Sequence, residues 1–200
     1  MTEIPDVNGY FTNLSRTIDK LPLGTINQIA GTILNAYDRG RMIYLFGNGG
    51  SAALASHLAC DLAKGTVNGN GKRLRVMALT DNVPLITAWA NDSKYEDIFA
   101  EQLSNLVGRD DIAFAISGSG NSPNVLRALQ VAREAGAIRI GLTGFRGGKM
   151  RELCNQCMIV PSDNMQIIED LHLCAAHALF TTVRQRILHP AEASSAAASD

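Results

Sequence analysis

One segment of the sequence has the composition of a loop that binds a phosphate group. Ser117-Gly118-Ser119-Gly120-Asn121-Ser122-Pro123 directly follows a short apolar run. It combines three hydroxyls with glycines, which let the backbone approach a ligand closely, and Pro123 suits the first turn of a helix, whose N-terminus attracts negative charge. The segment lacks the Lys-Ser/Thr pair of a nucleoside triphosphate loop. It therefore predicts a phosphomonoester cradle, with a plain Ser/Gly linker as the alternative.

A second glycine-rich segment, Gly47-Asn48-Gly49-Gly50-Ser51, also follows an apolar run. Its glycines permit close approach of a ligand, and Ser51 can cap a following helix. The segment is not a dinucleotide-binding fingerprint, because Ala52 stands where that pattern requires glycine. It indicates a ligand-binding turn, with an ordinary tight turn as the alternative.

Four ionisable residues have a spacing that can bring them to one site. His57 and Asp61 are four residues apart and share one face of a helix, while Glu169 and His177 can lean toward one side of a second helix. His172 points in a different direction. Two carboxylates and two imidazoles can bind a divalent metal ion or supply acid and base groups. Spacing alone leaves open the alternative that these histidines lie on the surface or in the core.

The elements that must position these residues follow from the apolar pattern. Short β-branched runs alternate with helical patterns after an amphipathic helical pair in residues 1–40. The predicted strands are 42–46, 74–79, 112–116, 138–142 and 158–160. The predicted helices between and after them are 52–64, 95–106, 123–135, 148–153 and 164–187. Nearly continuous apolar strands separated by helices predict a doubly wound, five-stranded parallel sheet, an α/β fold of the flavodoxin-like αβα type.

Charge and composition exclude several classes of protein. The 200-residue chain has 18 Lys and Arg against 19 Asp and Glu, so it lacks a basic field to attract nucleic acid or an anionic membrane. No apolar run reaches the roughly 20 residues that span a bilayer, and no secretory signal is recognisable. We expect a cytoplasmic protein that has no membrane partner and binds no nucleic acid directly.

The cysteines agree with a reducing compartment, in which thiols stay free. Cys154 and Cys157 have CxxC spacing, but a zinc ribbon needs a second such pair and a redox site would open a helix after a strand. We interpret both as ordinary half-buried thiols. The Ala/Ser-rich residues 191–200 predict a disordered tail.

Four motifs together resemble the sugar isomerase (SIS) domain family. They are Gly-Asn-Gly-Gly-Ser at 47–51 with His57 six residues later, Ala-Asn-Asp at 90–92, Ile-Ser-Gly-Ser-Gly-Asn-Ser at 116–122 and Leu-Thr-Gly-Phe-Arg-Gly-Gly-Lys-Met at 142–150. The resemblance covers residues 8–188 and is greatest to the phosphoheptose isomerases. It implies one SIS domain over residues 1–190, with the helical pair in 1–40 and the αβα core in 41–188.

The resemblance also implies the roles of individual residues. Substrate and phosphate contacts fall on Asn48, Gly49, Gly50, Ser51, Asn91, Asp92, Ser117, Gly118, Ser119, Asn121, Ser122 and Glu169. One zinc ion per subunit is implied at His57, Asp61, Glu169 and His177, with Asp61 or Glu169 as the base and His177 as the acid. Two positions depart from the family pattern, because Asp61 replaces a glutamate and Glu169 replaces a glutamine. Asp61 has a shorter side chain than glutamate, which draws its carboxylate back, and Glu169 adds a carboxylate where the family has an amide. Either Asp61 or Glu169 is therefore the base.

The implied activity is aldose–ketose isomerisation of a sugar phosphate. The expected reaction of heptose biosynthesis converts sedoheptulose 7-phosphate to D-glycero-D-manno-heptose 7-phosphate through an enediol(ate), with zinc assistance. The amphipathic helical pair and the resemblance together predict a homo-oligomer, a tetramer. The alternatives are a non-catalytic SIS protein that senses a phosphosugar or regulates assembly, and an isomerase of a different phosphosugar.

Overall fold

Five parallel strands form a single sheet in a computed structural model that describes residues 6–67, 69 and 71–189. In chain order they are β1 (Met42–Gly47), β2 (Arg75–Ala78), β3 (Ile112–Ile116), β4 (Ile138–Thr143) and β5 (Gln156–Ile159). Their order across the sheet is β2-β1-β3-β4-β5. This is the predicted flavodoxin-like arrangement, and the strand order reverses between β1 and β3. The tail predicted at 191–200 lies outside the described residues.

Helices cover both faces of the sheet. They are α1 (Val7–Ile18), α2 (Leu23–Arg39), α3 (Gly50–Gly65), α4 (Val83–Asp92), α5 (Ala100–Leu106), α6 (Pro123–Glu134), α7 (Met150–Leu153) and α8 (Met165–Leu188), with a short 3-10 helix at Tyr95–Asp97. Helices α2, α3 and α8 pack on one face, and α5, α6 and α7 pack on the other. The predicted doubly wound class and the N-terminal helical pair are confirmed.

The central strands are buried on both sides because successive side chains point to opposite faces of a strand. In β1, Ile43 and Leu45 join the apolar cluster beneath α2, α3 and α8, whereas Tyr44 and Phe46 join the cluster beneath α5 and α6. This arrangement explains why the strand reads as a continuous apolar run rather than an alternating one.

The helix ends that matter for the site have local causes in the sequence. The side chain of Asn164 caps α8 by accepting hydrogen bonds from the N–H groups of Gln166 and Ile167. Helix α2 ends at Gly40, whose φ of 64° is the left-handed conformation that terminates many helices.

Helix α1 is tied to α8 by the hydroxyl of Tyr10, which donates a 2.6 Å hydrogen bond to Asp170. That bond raises the pKa of Tyr10 to about 12.

Apart from small shifts of other element ends, the structure differs from the predicted elements in three places. Helix α4 was not predicted, because its apolar residues surround the helix and none is buried, which removes the periodic pattern. The single helix predicted over 95–106 is a 3-10 turn followed by α5. Strand β5 begins at Gln156 rather than Met158. Within the described ranges, every helix is too short or too polar to cross a bilayer.

Candidate active site

The two sequence segments singled out for ligand binding lie side by side at the carboxyl ends of β1 and β3. This is the point where the strand order reverses, and ligands of open α/β sheets bind there. Gly47 makes the close approach possible. A Cβ atom at this position would lie 2.6 Å from the carbonyl oxygen of Ile116 and 2.8 Å from the Cβ of Ser51. Any other residue at 47 would therefore push the two turns apart.

A reciprocal pair of amides joins the two turns. Asn48 donates from Nδ2 to Oδ1 of Asn124 at 2.9 Å, and Asn124 donates back to Oδ1 of Asn48 at 2.8 Å. The hydroxyl of Tyr95 donates to the same Asn48 oxygen at 3.0 Å. Asn48 was predicted as a substrate contact, and its amide oxygen is thus already used to hold the site together.

The serine-rich turn forms the wall of a small pocket. The hydroxyls of Ser117 and Ser122 lie 3.1 Å apart, and the hydroxyl of Ser119 accepts a hydrogen bond from the N–H of Asn121. The pocket has a volume of about 150 Å³. Its lining residues are Asn48, Ser51, Ile116, Ser117, Gly118, Ser119, Ser122, Met165 and Glu169. No lysine or arginine is among them, so an anion there would be held by hydroxyls, backbone N–H groups and the N-terminus of α6.

Three of the four predicted metal-binding residues meet on the adjoining faces of α3 and α8. The Nε2 atoms of His57 and His177 are 3.4 Å apart, and Oδ2 of Asp61 is 3.4 Å from Nε2 of His57. One ligand atom from each residue falls within 4.8 Å of the others. Ligand atoms on a tetrahedral zinc ion, with bonds of about 2.0–2.1 Å, lie about 3.3 Å apart. Two of the three separations are close to this value, so the His-Asp-His group could hold a divalent metal ion and would leave a fourth position open.

Glu169, the fourth predicted ligand, is not brought to the His-Asp-His group. Its carboxylate oxygens lie 3.1 and 3.2 Å from the point where a Cβ on Gly50 would be, at the first turn of α3. Glu169 lines both the serine pocket and a second pocket of about 270 Å³ that contains His57 and Ser51. It stands between the two parts of the site, and among the described residues no Lys or Arg forms an ion pair with it.

His172 is buried and lines the same pocket of about 270 Å³ as His57 and Glu169. It is 1% exposed, and neither ring nitrogen has a hydrogen-bond partner among the described residues. Burial lowers its pKa to about 4, because a low-dielectric surrounding disfavours the protonated ring. His172 is neutral at physiological pH and does not join the His-Asp-His group.

The remaining predicted contacts at Asn91 and Asp92 lie apart from both pockets. They end α4, where Nδ2 of Asn91 donates to Oδ1 of Asp92 at 2.8 Å, and both side chains are exposed. Neither residue lines the serine pocket or the pocket beside His57.

Sequence reasoning missed three residues that support the site. Asn124 is 1% exposed and completes the amide pair, and Tyr95 reaches Asn48 from the 3-10 helix. Ser56, next to His57, shares a hydrogen bond with Thr80 at 3.0 Å and donates another to Asp81. The only signal for Asn124 was a polar residue in the first turn of a predicted helix, and Tyr95 and Ser56 gave none.

Comparison with known proteins places these features in a family. The family model described as the SIS domain matches residues 9–144. A phosphoheptose isomerase of Paramagnetospirillum magneticum is 46% identical over 140 residues, which are 70% of this chain and 72% of that one. One of Bradyrhizobium sp. (strain ORS 278) is 36% identical over 174 residues, 87% of each chain. The solved phosphoheptose isomerase from Francisella tularensis superposes with a TM-score of 0.85 at 31% identity, covering 92% of this chain and 100% of that one.

Proposed function

Because this chain belongs to the SIS domain family, and within it to the phosphoheptose isomerases, we propose that it converts sedoheptulose 7-phosphate to D-glycero-D-manno-heptose 7-phosphate with zinc bound. The resemblance found in the sequence is confirmed, and with it the enzyme class, an aldose–ketose isomerase. The choice of substrate and the zinc ion are the parts that we propose.

One observation carries the proposal: the serine pocket and the His-Asp-His group are joined by a single helix. Ser51 at the start of α3 lines the pocket, and His57 lies six residues further along the same helix. Six residues of helix span about 9 Å. An extended seven-carbon sugar phosphate is of similar length, so its phosphate can occupy the pocket while its carbonyl end reaches the imidazoles.

The group at the carbonyl end contains an acid and a base. We assign Asp61 as the base that takes the proton from the carbon beside the carbonyl, and His177 as the acid that protonates the carbonyl oxygen. The resulting enediol becomes the new carbonyl compound when the base returns its proton to the neighbouring carbon and the hydroxyl of the first carbon gives its proton back to His177. Oδ2 of Asp61 faces His57, which leaves its other oxygen for the proton.

The zinc ion would be held by His57, Asp61 and His177, and when bound it would supply a Lewis acid for the developing oxyanion. His177 would then donate its proton from the ring nitrogen that does not hold the metal. Glu169 faces the stretch between the pocket and this group, where its carboxylate can accept hydrogen bonds from sugar hydroxyls. We therefore assign Glu169 to substrate orientation in preference to metal binding.

The Ser119→Ala/Ser122→Ala double variant should bind sugar phosphate at least tenfold more weakly, because the pocket has no basic side chain to compensate for the lost hydroxyls. Titration calorimetry with sedoheptulose 7-phosphate measures the change. The matched control is Ser104→Ala, a serine on α5 that bonds only its own helix backbone. Unchanged affinity in the double variant would show that the phosphate group does not bind in this pocket.

Protein purified without chelators should contain about one zinc ion per chain, and His57→Ala should contain less than about a tenth of that amount. Elemental analysis by plasma mass spectrometry gives the content. Glu169→Gln is the control and should keep its zinc, because Glu169 lies outside the His-Asp-His group. Zinc loss in Glu169→Gln would instead make Glu169 a ligand.

A panel of sugar phosphates separates the candidate functions. We expect turnover of sedoheptulose 7-phosphate to exceed that of pentose and hexose phosphates. If only another sugar phosphate is turned over, that compound is the substrate and sedoheptulose 7-phosphate is not. If sugar phosphates bind but none is turned over, the protein is a phosphosugar sensor.

We also propose a homotetramer. Two observations support the tetramer: the chain belongs to this family, and two helices expose apolar side chains. The exposed side chains are Val7 and Phe11 on α1 and Val83 and Leu85 on α4. Sedimentation velocity at micromolar concentration should give a species of four times 21.4 kDa. A 21.4 kDa species would contradict the proposal.

A further inference from the structure

Cys154 and Cys157 meet at one point on the sheet, outside the site described above. Cys157 lies on the edge strand β5, directly opposite Gly141 of β4. A Cβ on Gly141 would be 2.9 Å from Sγ of Cys154 and 3.3 Å from Sγ of Cys157. The missing side chain at 141 thus makes room for two sulfur atoms, both of which are half-buried and free.

The surroundings of the two sulfurs give them different reactivities. The thiol of Cys154 is hydrogen-bonded to the sulfur of Cys157, which lowers the pKa of Cys157, and the nearby Arg151 lowers it further. The same hydrogen bond, together with burial, raises the pKa of Cys154. Cys157 is therefore the nucleophile of the pair, and Cys154 holds its proton until a second step.

These two thiols do not form a metal site of the usual kind. A structural zinc ion takes four ligands, and among the described residues the only group of three or more His, Cys, Asp or Glu ligand atoms is the one at His57, Asp61 and His177. With no third ligand close by, the reactive chemistry open to the pair is thiol–disulfide exchange, which goes beyond the ordinary half-buried thiols that the sequence pattern favours.

We propose that Cys154 and Cys157 are a dithiol site that reacts with small disulfides and closes to an intramolecular disulfide. The thiolate of Cys157 attacks one sulfur of the small disulfide, forms a mixed disulfide and releases one thiolate. Cys154 then loses its proton and attacks the Cys157 sulfur, which releases the second thiolate. The two cysteines lose two electrons and two protons, and the small disulfide is reduced to two thiols.

The position of Cys154 connects this site to the serine-rich turn. Cys154 ends α7, and its N–H donates to the carbonyl of Met150. At the other end of α7, the N–H of Met150 donates to the carbonyl of Gly120, and the N–H of Lys149 donates to Oδ1 of Asn121. A disulfide at the end of this one-turn helix therefore pulls on the turn, and we expect the oxidised protein to bind sugar phosphate several-fold more weakly.

The experiment uses the full chain with Cys60→Ser and Cys174→Ser, which removes the two exposed cysteines outside the pair. After treatment with oxidised glutathione, mass spectrometry should show a loss of about 2 Da, and alkylation should find no free thiol. Adding Cys154→Ser should stop the reaction at a glutathione adduct on Cys157, and adding Cys157→Ser should slow adduct formation at least tenfold. Two free thiols in the treated protein, or equal rates in the two variants, would overturn the dithiol site.

The effect on the turn has a separate readout and rests on the proposed phosphate pocket. Calorimetry with sedoheptulose 7-phosphate should give weaker binding for the oxidised protein, with full recovery after reduction. If the disulfide forms and the affinity is unchanged, the connection through α7 is wrong. If neither form binds, the phosphate pocket is wrong, and the mass readout still decides the dithiol site.

Discussion

Asp61→Asn is expected to lower the turnover of sedoheptulose 7-phosphate by about a thousandfold, the usual range for loss of a general base. Asparagine has the same size and keeps an oxygen toward His57, but it cannot take a proton. Asp61 is the carboxylate of the His-Asp-His group, with Oδ2 at 3.4 Å from Nε2 of His57. Because Asp61 also belongs to the His-Asp-His group, zinc content is measured beside the kinetics: kcat should fall in protein that keeps its zinc, while calorimetry shows an unchanged affinity for the sugar phosphate.

Glu169→Gln is the matched variant, because it also neutralises a carboxylate of the site without changing its size. We expect less than a tenfold change in kcat and a change mainly in KM, since Glu169 lies between the phosphate pocket and the catalytic group. A loss of several orders of magnitude in Glu169→Gln, with an active Asp61→Asn, would show that the base stands at 169. If neither variant changed turnover, both catalytic assignments would fail.

Gly120→Ala should destabilise the protein by about 2–5 kcal/mol, because strain and a steric clash add at one position. Gly120 has a φ of 64°, and a Cβ there would lie 2.2 Å from the carbonyl oxygen of Gly147 and 2.8 Å from Oγ1 of Thr143. The carbonyl belongs to a neighbouring turn that is itself tightly packed, since a Cβ on Gly148 would be 2.6 Å from Gly120. Urea unfolding monitored by circular dichroism measures the loss.

Gly40→Ala is the control for the backbone strain. Gly40 has the same φ of 64°, and a Cβ there would have no neighbour within 4 Å. Its substitution should cost only about 1 kcal/mol, the price of the left-handed conformation for alanine. If both variants lose the same free energy of unfolding, the turns at 120 and 147 can move apart to accommodate a Cβ atom without destabilising the protein.

The sheet was predictable from the sequence because its central strands β1 and β3 are continuous apolar runs and the other strands are short, mostly apolar segments. All five strands occur at the predicted positions: β3 has the predicted ends, and the ends of the other four differ by at most two residues. Helix α4 was not predictable in this way, since a helix with no buried residue carries no periodic signal. Its capping signals, Asn82 before the helix and Pro84 in its first turn, were present in the sequence.

For the site, spacing alone predicted the pairing of His57 with Asp61 and the turns at β1 and β3. It could not predict which of Glu169 and His177 lies beside the serine pocket and which lies beside His57. The two residues are eight positions apart on α8, so they differ by about 80° around the helix and by about 12 Å along it. That separation puts one beside the serine pocket and the other beside His57.

The packing of α8 against α2 and α3 has a consequence for synthesis of the chain. Ile33 of α2 and Leu58 and Leu62 of α3 share one buried apolar cluster with Ile167 and Leu179 of α8, which follow more than a hundred residues later. At about 5–20 residues per second, a ribosome takes about 5–20 seconds to supply that cover. During this interval the apolar side chains of α2 and α3 that α8 will cover stay exposed to solvent. A chaperone that binds nascent chains should therefore contact α2 and α3 until α8 leaves the ribosome.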